Sequence, residues 1–263
     1  MTPLPQPHPA IRLEQDGPVV TVTLCDPDHL NAQVPSMWLA LADIAHGLAD
    51  DVRVVVLAAE GRSFSAGLNR GMLRPGSMPG EPDLLAAAAQ SPEAMTALIG
   101  PFQEGFAAWR RVAPVVVAAV QGHAIGAGFQ LALAADLRIV ADDVKFAMRE
   151  VSLGMIPDLA GTRPLVAAVG YSRAMELCAT GRFVGAEEAV RIGLATVAVP
   201  ADELAATTSD LVAALLGTPP AALRALKPLL DRAAGATLDE QLVHERVAQG
   251  HLLHGMARAA GLS

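Results

Sequence analysis

The chain has 263 residues, 52% of them hydrophobic and 17% charged, with a formal net charge of −8. That is enough apolar material for a large core, most simply one domain with an appendage, and the acidic balance argues against nucleic acid or an anionic membrane surface as a partner. Cys25 and Cys178 lie in apolar neighbourhoods and read as reduced core residues; with no signal-peptide core and no run long enough to span a bilayer, a cytoplasmic location is expected.

In chain order, residues 1–10 are proline-rich and are expected to form a loose tail. Val19–Leu24 is β-branched and alternating, a strand. Asp26, Pro27 and Asp28 turn the chain, and Met37, Leu41, Ile44 and Leu48 then share one helical face over residues 34–49. Residues 52–58 are apolar almost throughout, as in a strand buried on both faces. The run GRSFSAGLN follows, from Gly61 to Asn69.

Residues 70–92 hold Gly, Pro, Met and Ser with no clear period. Such a stretch is more often functional than idle, so both a mobile lid and a plain surface loop are open. Residues 92–112 read as a helix carrying Trp109 and the pair Arg110–Arg111, which suits either a solvated face or a phosphate contact. Pro114–Val120 is a further buried strand; it leads through GHAIGAGFQL, from Gly122, into an alanine- and leucine-rich helix ending near Asp136. Short helices are expected over 165–179 and 186–193, punctuated by Gly170 and Gly181, with a last strand over 195–199. Beyond Pro200 the pattern is helical, over 202–216, 220–234 and 238–256, and Leu223, Leu226 and Leu230 share a face. The expected fold class is α/β: a tail over 1–10, a strand–turn–helix core over 11–200 and a helical region over 201–263.

Two small-residue turns carry the chemistry. Gly126 and Gly128 flank Ala127 and let a ligand oxygen approach the first amides of a helix, which lack intrahelical acceptors and sit at its positive end. Ala66 and Gly67 make a similar exit from the preceding strand, so each turn can offer one backbone N–H to a single carbonyl oxygen. The dinucleotide fingerprint does not fit, because Leu131 stands where its third glycine belongs.

With these turns, the runs DPDHLNA (Asp26 to Ala32), Val52 to Asn69, Pro114 to Leu165 and Thr180 to Pro200 make the sequence resemble the enoyl-CoA hydratase/isomerase (crotonase) superfamily over most of its length. The resemblance implies a spiral of ββα turns with a C-terminal helical region that covers the site and builds trimers or hexamers. It implies an acyl-CoA thioester as substrate and partner, with coenzyme A part of the substrate and no separate cofactor. The family's oxyanion hole falls on the backbone N–H groups of Leu68 and Ala127, and its substrate-lining positions on Ala66, Gly67, Asn69, Gly126 and Pro157. Its hydratases use two glutamates: one position is Glu150, the other is occupied here by Gln130. A glutamine can orient water but cannot take its proton. Asp158 falls where isomerases of the family carry an aspartate, and reads equally as a helix N-cap. Arg149 could pair with Glu150 and lower its pKa, and Lys227 matches a family lysine that could reach a CoA phosphate.

Metal and nucleotide chemistries fail on spacing. His244-Glu245 begins a zinc-protease pattern, but Ala248 stands where the second histidine is required, and there is no Walker loop. The expected function is double-bond isomerisation or hydration of an enoyl-CoA with Glu150 as acid/base. The alternatives are a catalytically silent acyl-CoA binder and a thioester hydrolase or decarboxylase on the same pocket.

Overall fold

A computed structural model describes residues 7–76 and 78–262. β1 (Ile11–Asp16) and β2 (Val19–Leu24) form an antiparallel hairpin. α1 (Pro35–His46) leads to β3 (Val54–Ala59), which pairs parallel to β2. A 3₁₀ turn at Arg70–Leu73, α2 (Leu84–Gln90) and α3 (Pro92–Arg111) precede β4 (Val115–Val120). The short β5 (His123–Ile125) enters α4 (Ala127–Ala134), followed by β6 (Leu137–Ala141) and β7 (Lys145–Ala147). Next come α5 (Thr162–Val169), α6 (Tyr171–Thr180), α7 (Ala186–Arg191) and β8 (Val197–Val199). The chain ends in α8 (Leu204–Leu216), α9 (Pro220–Ala233) and α10 (Leu238–Ala259). The main sheet runs β1-β2-β3-β4-β6-β8, parallel beyond the first pair, and β5 and β7 form a separate parallel pair.

The apolar runs are continuous because both faces of the central strands are covered. Val55 and Leu57 of β3, with Val116, Ala118 and Val120 of β4, join the larger core under α1, α3 and α4. Their neighbours Val54, Val56, Val115, Val117 and Ala119 point the other way and pack beneath α8. One strand thus serves two layers through the two-residue period of its side chains.

Three local outcomes differ from expectation. β1 went unread beside the proline-rich segment. Of the expected tail, residues 1–6 lie outside the described residues, whereas His8 Nε2 lies 3.1 Å from Ser36 Oγ. The stretch 70–92, expected to lack regular structure, contains α2, started by Asp83 accepting from the Ala86 N–H at 2.9 Å. Seven residues are too few to show a helical period.

The helical end is docked by buried charge. Lys227 on α9 donates to Asp136 Oδ2 at 2.8 Å and to the Trp109 and Pro114 carbonyls at 2.9 Å each, and its side chain is only 8% exposed. Burial holds its pKa below the usual lysine value, with the Asp136 charge opposing. Lys227 therefore ties α9 to α3, to the start of β4 and to Asp136, and its ammonium is occupied by these partners instead of a CoA phosphate. Arg110 likewise donates to Asp231 of α9 at 2.8 Å, whereas Arg111 forms an exposed pair with Glu104 at 2.9 Å. Among the described residues no helix is long and apolar enough to cross a membrane. Removing one member of a buried pair strands the other, so Lys227→Ala is expected to lower the unfolding free energy by about 3–5 kcal/mol. Urea denaturation checks this; a loss below about 1 kcal/mol, as for an exposed pair, would contradict the docking role.

Candidate active site

The two glycine turns meet through backbone pairing. The Ser65 N–H donates to the His123 carbonyl at 2.8 Å, and the Ile125 N–H to the Ser65 carbonyl at 3.0 Å. Approach is so close that a β-carbon on Gly67 would stand 2.3 Å from the Ile125 oxygen and 3.3 Å from the Ala127 nitrogen. Gly67 also has φ +83°, a region that disfavours other residues.

A third segment aims one of the amides. Gln33 donates its N–H to the Gly67 carbonyl and accepts from the Asn69 N–H, each at 2.8 Å. In this parallel bridge Leu68 keeps its own N–H turned away from Gln33. The Gln33 side chain, fully buried, donates to Ser65 Oγ at 3.0 Å and accepts from Trp38 Nε1 at 2.8 Å. Ser65 Oγ in turn donates to the Asn31 carbonyl at 2.7 Å. Gln33 and Ser65 carry no catalytic motif, and nothing in their mixed polar and apolar surroundings in the sequence sets them apart. Ala127, the first residue of α4, is preceded by Gly126 with no side-chain cap. Among the described residues, neither Leu68 N–H nor Ala127 N–H has an acceptor in the chain.

β7 brings the acid. It pairs with β5, and the Gly126 N–H donates to the Ala147 carbonyl at 2.8 Å, so Glu150 arrives beside Gly126. A β-carbon on Gly126 would stand 3.3 Å from Glu150 Oε1. That oxygen accepts from Gln130 Nε2 at 2.8 Å, while Glu150 Oε2 is buried without a partner. Burial pushes the Glu150 carboxyl above the usual glutamate range; its own backbone N–H and the Gln130 amide pull it down, and the charge of Asp158 raises it. Glu150 is therefore not a solvated surface charge. Arg149 does not pair with it: its guanidinium donates to the Gly181 carbonyl at 3.1 Å and lies over the Phe183 ring.

Asp158 is no helix cap. α5 begins at Thr162 with Gly161 as its N-cap, and no side chain caps it. Asp158 is half-buried, with its pKa raised by burial, and its backbone carbonyl accepts from Gln103 Nε2 at 2.7 Å. Pro157, just before it, is buried. Of the other expected lining residues, Ala66 is tied through its N–H to the Leu30 carbonyl at 2.9 Å, and the Asn69 side chain accepts from the Gly71 N–H at 2.9 Å. A cavity of about 770 Å³ lies elsewhere, between α8 and the face of the sheet bearing Thr21, Val56 and Ala119, and none of these candidates lines it.

Free amides at a strand exit and a helix start, with a buried carboxylate beside them, suit chemistry at a carbonyl and its neighbouring carbon. A family model described as enoyl-CoA hydratase/isomerase matches residues 14–263. The chain belongs to the enoyl-CoA hydratase/isomerase family. Its sequence is 32% identical, over 91% of this chain and 88% of the relative, to a Mycobacterium bovis protein assigned as an enoyl-CoA hydratase. It is 33% identical to carnitinyl-CoA dehydratase of Salmonella typhi, over 84% of this chain and 79% of that protein. Among solved structures, a Thermobifida fusca YX protein assigned as an enoyl-CoA hydratase, crystallised with CoA, superposes with a TM-score of 0.88 at 44% identity, covering 95% of each chain. A further structure of a Thermobifida fusca YX protein with the same assignment, 45% identical with a TM-score of 0.88, holds acetoacetyl-CoA. The family's crotonase fold accounts for the mixed sheet, the second strand pair and the helical end.

The raised Glu150 pKa has a stability consequence. Between the ordinary glutamate value and the raised one, the folded protein holds more protons than the unfolded chain, so stability falls as pH rises through that window. Glu150→Gln removes this term. The melting temperature of the variant relative to the parent is expected to be higher at about pH 8 than at about pH 4, near the ordinary glutamate value. An unchanged difference across those two pH values would contradict the burial of an ionisable group there.

Proposed function

We propose that this protein is an acyl-CoA enzyme that moves a double bond, or otherwise shifts a proton, next to the thioester of an enoyl-CoA. The observation that carries the reading is the juxtaposition of two acceptor-free amides, Leu68 and Ala127, with the unpartnered oxygen of Glu150. The thioester oxygen accepts from both amides. Glu150 Oε2, ionised, takes a proton from the substrate carbon: the C–H bond breaks, an O–H bond forms, and the electron pair moves into an enolate whose oxygen the amides hold. Returning that proton to a different carbon completes an isomerisation and regenerates the carboxylate. Preorganised donors at such an oxyanion are each worth about 2.7–4 kcal/mol of transition-state stabilisation. A raised pKa suits a group that must both take and give a proton near neutrality.

The choice of an acyl-CoA is supported by the CoA and acetoacetyl-CoA held in the two Thermobifida fusca structures. Isomerisation ranks above hydration because Gln130 replaces the second acid, with Asp158 as the remaining carboxyl near the site. Hydration is the second reading, favoured by the assignments of the relatives. Assembly as a homotrimer or hexamer is part of the proposal: α10 buries none of its residues in the single chain, and Leu238, Val247, Leu253 and Met256 along it are exposed. The cytoplasm is the proposed location.

Because Leu68 acts through its backbone, Leu68→Ala is expected to keep activity, whereas Leu68→Pro removes the donor and lowers the rate about 10²–10³-fold if chemistry limits turnover. Mass-spectrometric assay of a panel of enoyl-CoA esters, with circular dichroism to verify folding, makes the comparison. Full activity of a folded Leu68→Pro variant would remove the oxyanion assignment, and failure to bind or convert any CoA ester would remove the whole reading.

A further inference from the structure

The side chain of Gln130 is seated at both ends. Its Oε1 accepts from the Leu159 N–H at 2.9 Å and the Gly161 N–H at 3.2 Å, and its Nε2 donates to Glu150 Oε1 at 2.8 Å. Two backbone donors at one end and a carboxylate at the other admit one orientation of the amide. The seat is tight: a β-carbon on Gly161 would stand 2.6 Å from Gln130 Cγ. Between the two donating residues Ala160 takes φ +63°, a left-handed conformation rare for alanine. From the side of α3, Gln103 holds the same segment by its bond to the Asp158 carbonyl.

We infer that Gln130 is a positioning residue: anchored on the Leu159 and Gly161 amides, it holds Glu150 Oε1 and leaves Oε2 as the single oxygen that exchanges a proton with the substrate. This rests on the reading of Glu150 as the acid/base. It replaces the expectation that Gln130 orients water, since its amide oxygen already has two donors. It also deepens the ranking of reactions. With Oε1 occupied and no second carboxylate at 130, Oε2 alone takes the proton from one substrate carbon and returns it to another. At 2.8 Å there is no place for a water between the two side-chain heads. Gln130→Glu therefore creates two carboxyls in direct contact that share a proton, rather than two acids across a water.

The experiment titrates the Glu150 carboxyl in the free enzyme by infrared difference spectroscopy, with Glu150→Gln identifying its band. Other charged and titratable groups near it are Asp158, from the segment before α5, the Cys178 thiol on α6, and Arg149, whose guanidinium is turned to Gly181 and Phe183. Asp158→Asn is the control, expected to lower the Glu150 midpoint equally with and without Gln130. Gln130→Leu takes a hydrogen bond from the ionised form and is expected to raise the midpoint by about one to two pH units. Gln130→Glu keeps an acceptor for Leu159 and Gly161, so it tests the idea even if the leucine variant does not fold. It is expected to titrate in two steps belonging to the pair, the upper one above the parent midpoint. An unmoved midpoint in folded Gln130→Leu, or a single unmoved step in Gln130→Glu, overturns the positioning role. The titration needs no substrate: if the midpoints shift but the parent turns over no enoyl-CoA, the proposed reaction is what fails.

Discussion

The site depends on one short ladder, the two backbone hydrogen bonds joining Ser65 to the strand His123–Ile125. They set the exit of β3 against the entry of α4 at a distance only glycine tolerates at position 67. Directions follow from that contact. Gln33 pairs with the residues on either side of Leu68 and leaves the Leu68 N–H outside the bridge. Backbone pairing, not a side chain, fixes the direction of the Leu68 N–H.

Around this rigid pair the protein bears charge it could stabilise more easily in water. Glu150 lies against Gly126 with one oxygen unpartnered, and Asp158 is also shifted upward by burial. An ionised carboxylate with an unmet oxygen is costly in a dry environment. The remaining interactions here, the Gln130 clamp and the Gln103 bond to residue 158, hold the geometry instead of neutralising the charge. Segment 150–161 holds both the unpartnered Glu150 oxygen and the left-handed Ala160, whereas the side chains of Asn31, Gln33 and Ser65 are buried and hydrogen-bonded. Lys227 shows the other use of buried charge, fully paired and joining α9 to β4 and Asp136.

Much of the fold was legible because the central strands are buried on both faces and so stand out as apolar runs; β2 and α1 lie where periodicity put them. β5 and α2 were not, since three and seven residues carry too little pattern and their existence depends on partners elsewhere in the chain. The family and the two turns were legible from small residues in order. What the side chains do was less so. Arg149 stands next to Glu150 in sequence yet turns to Gly181, and Asp158 precedes a helix yet lies too early to cap it. Gln130 could be recognised as a missing acid but not as a clamp, because its partners Leu159 and Gly161 act through backbone alone. Sequence proximity says little about where a long side chain goes once tertiary donors compete for it.

The ladder between Ser65 and β5 also bears on when the site can exist during folding. Gln121, which bonds the Ala59 carbonyl beside it, is 62 residues away in sequence, and the strand pairings beyond β2 are parallel and require crossovers. Loops of this length must close before the contacts that reward closure can form, so such topologies fold slowly and expose apolar strands meanwhile. On a growing chain the hairpin β1–β2 can form early, but the amide pair must wait for residue 127 and the acid with its clamp for residue 161. A chain halted before that point carries the valine-rich β3 and β4 without the segment that completes the pocket, and is a substrate for chaperones, not for catalysis.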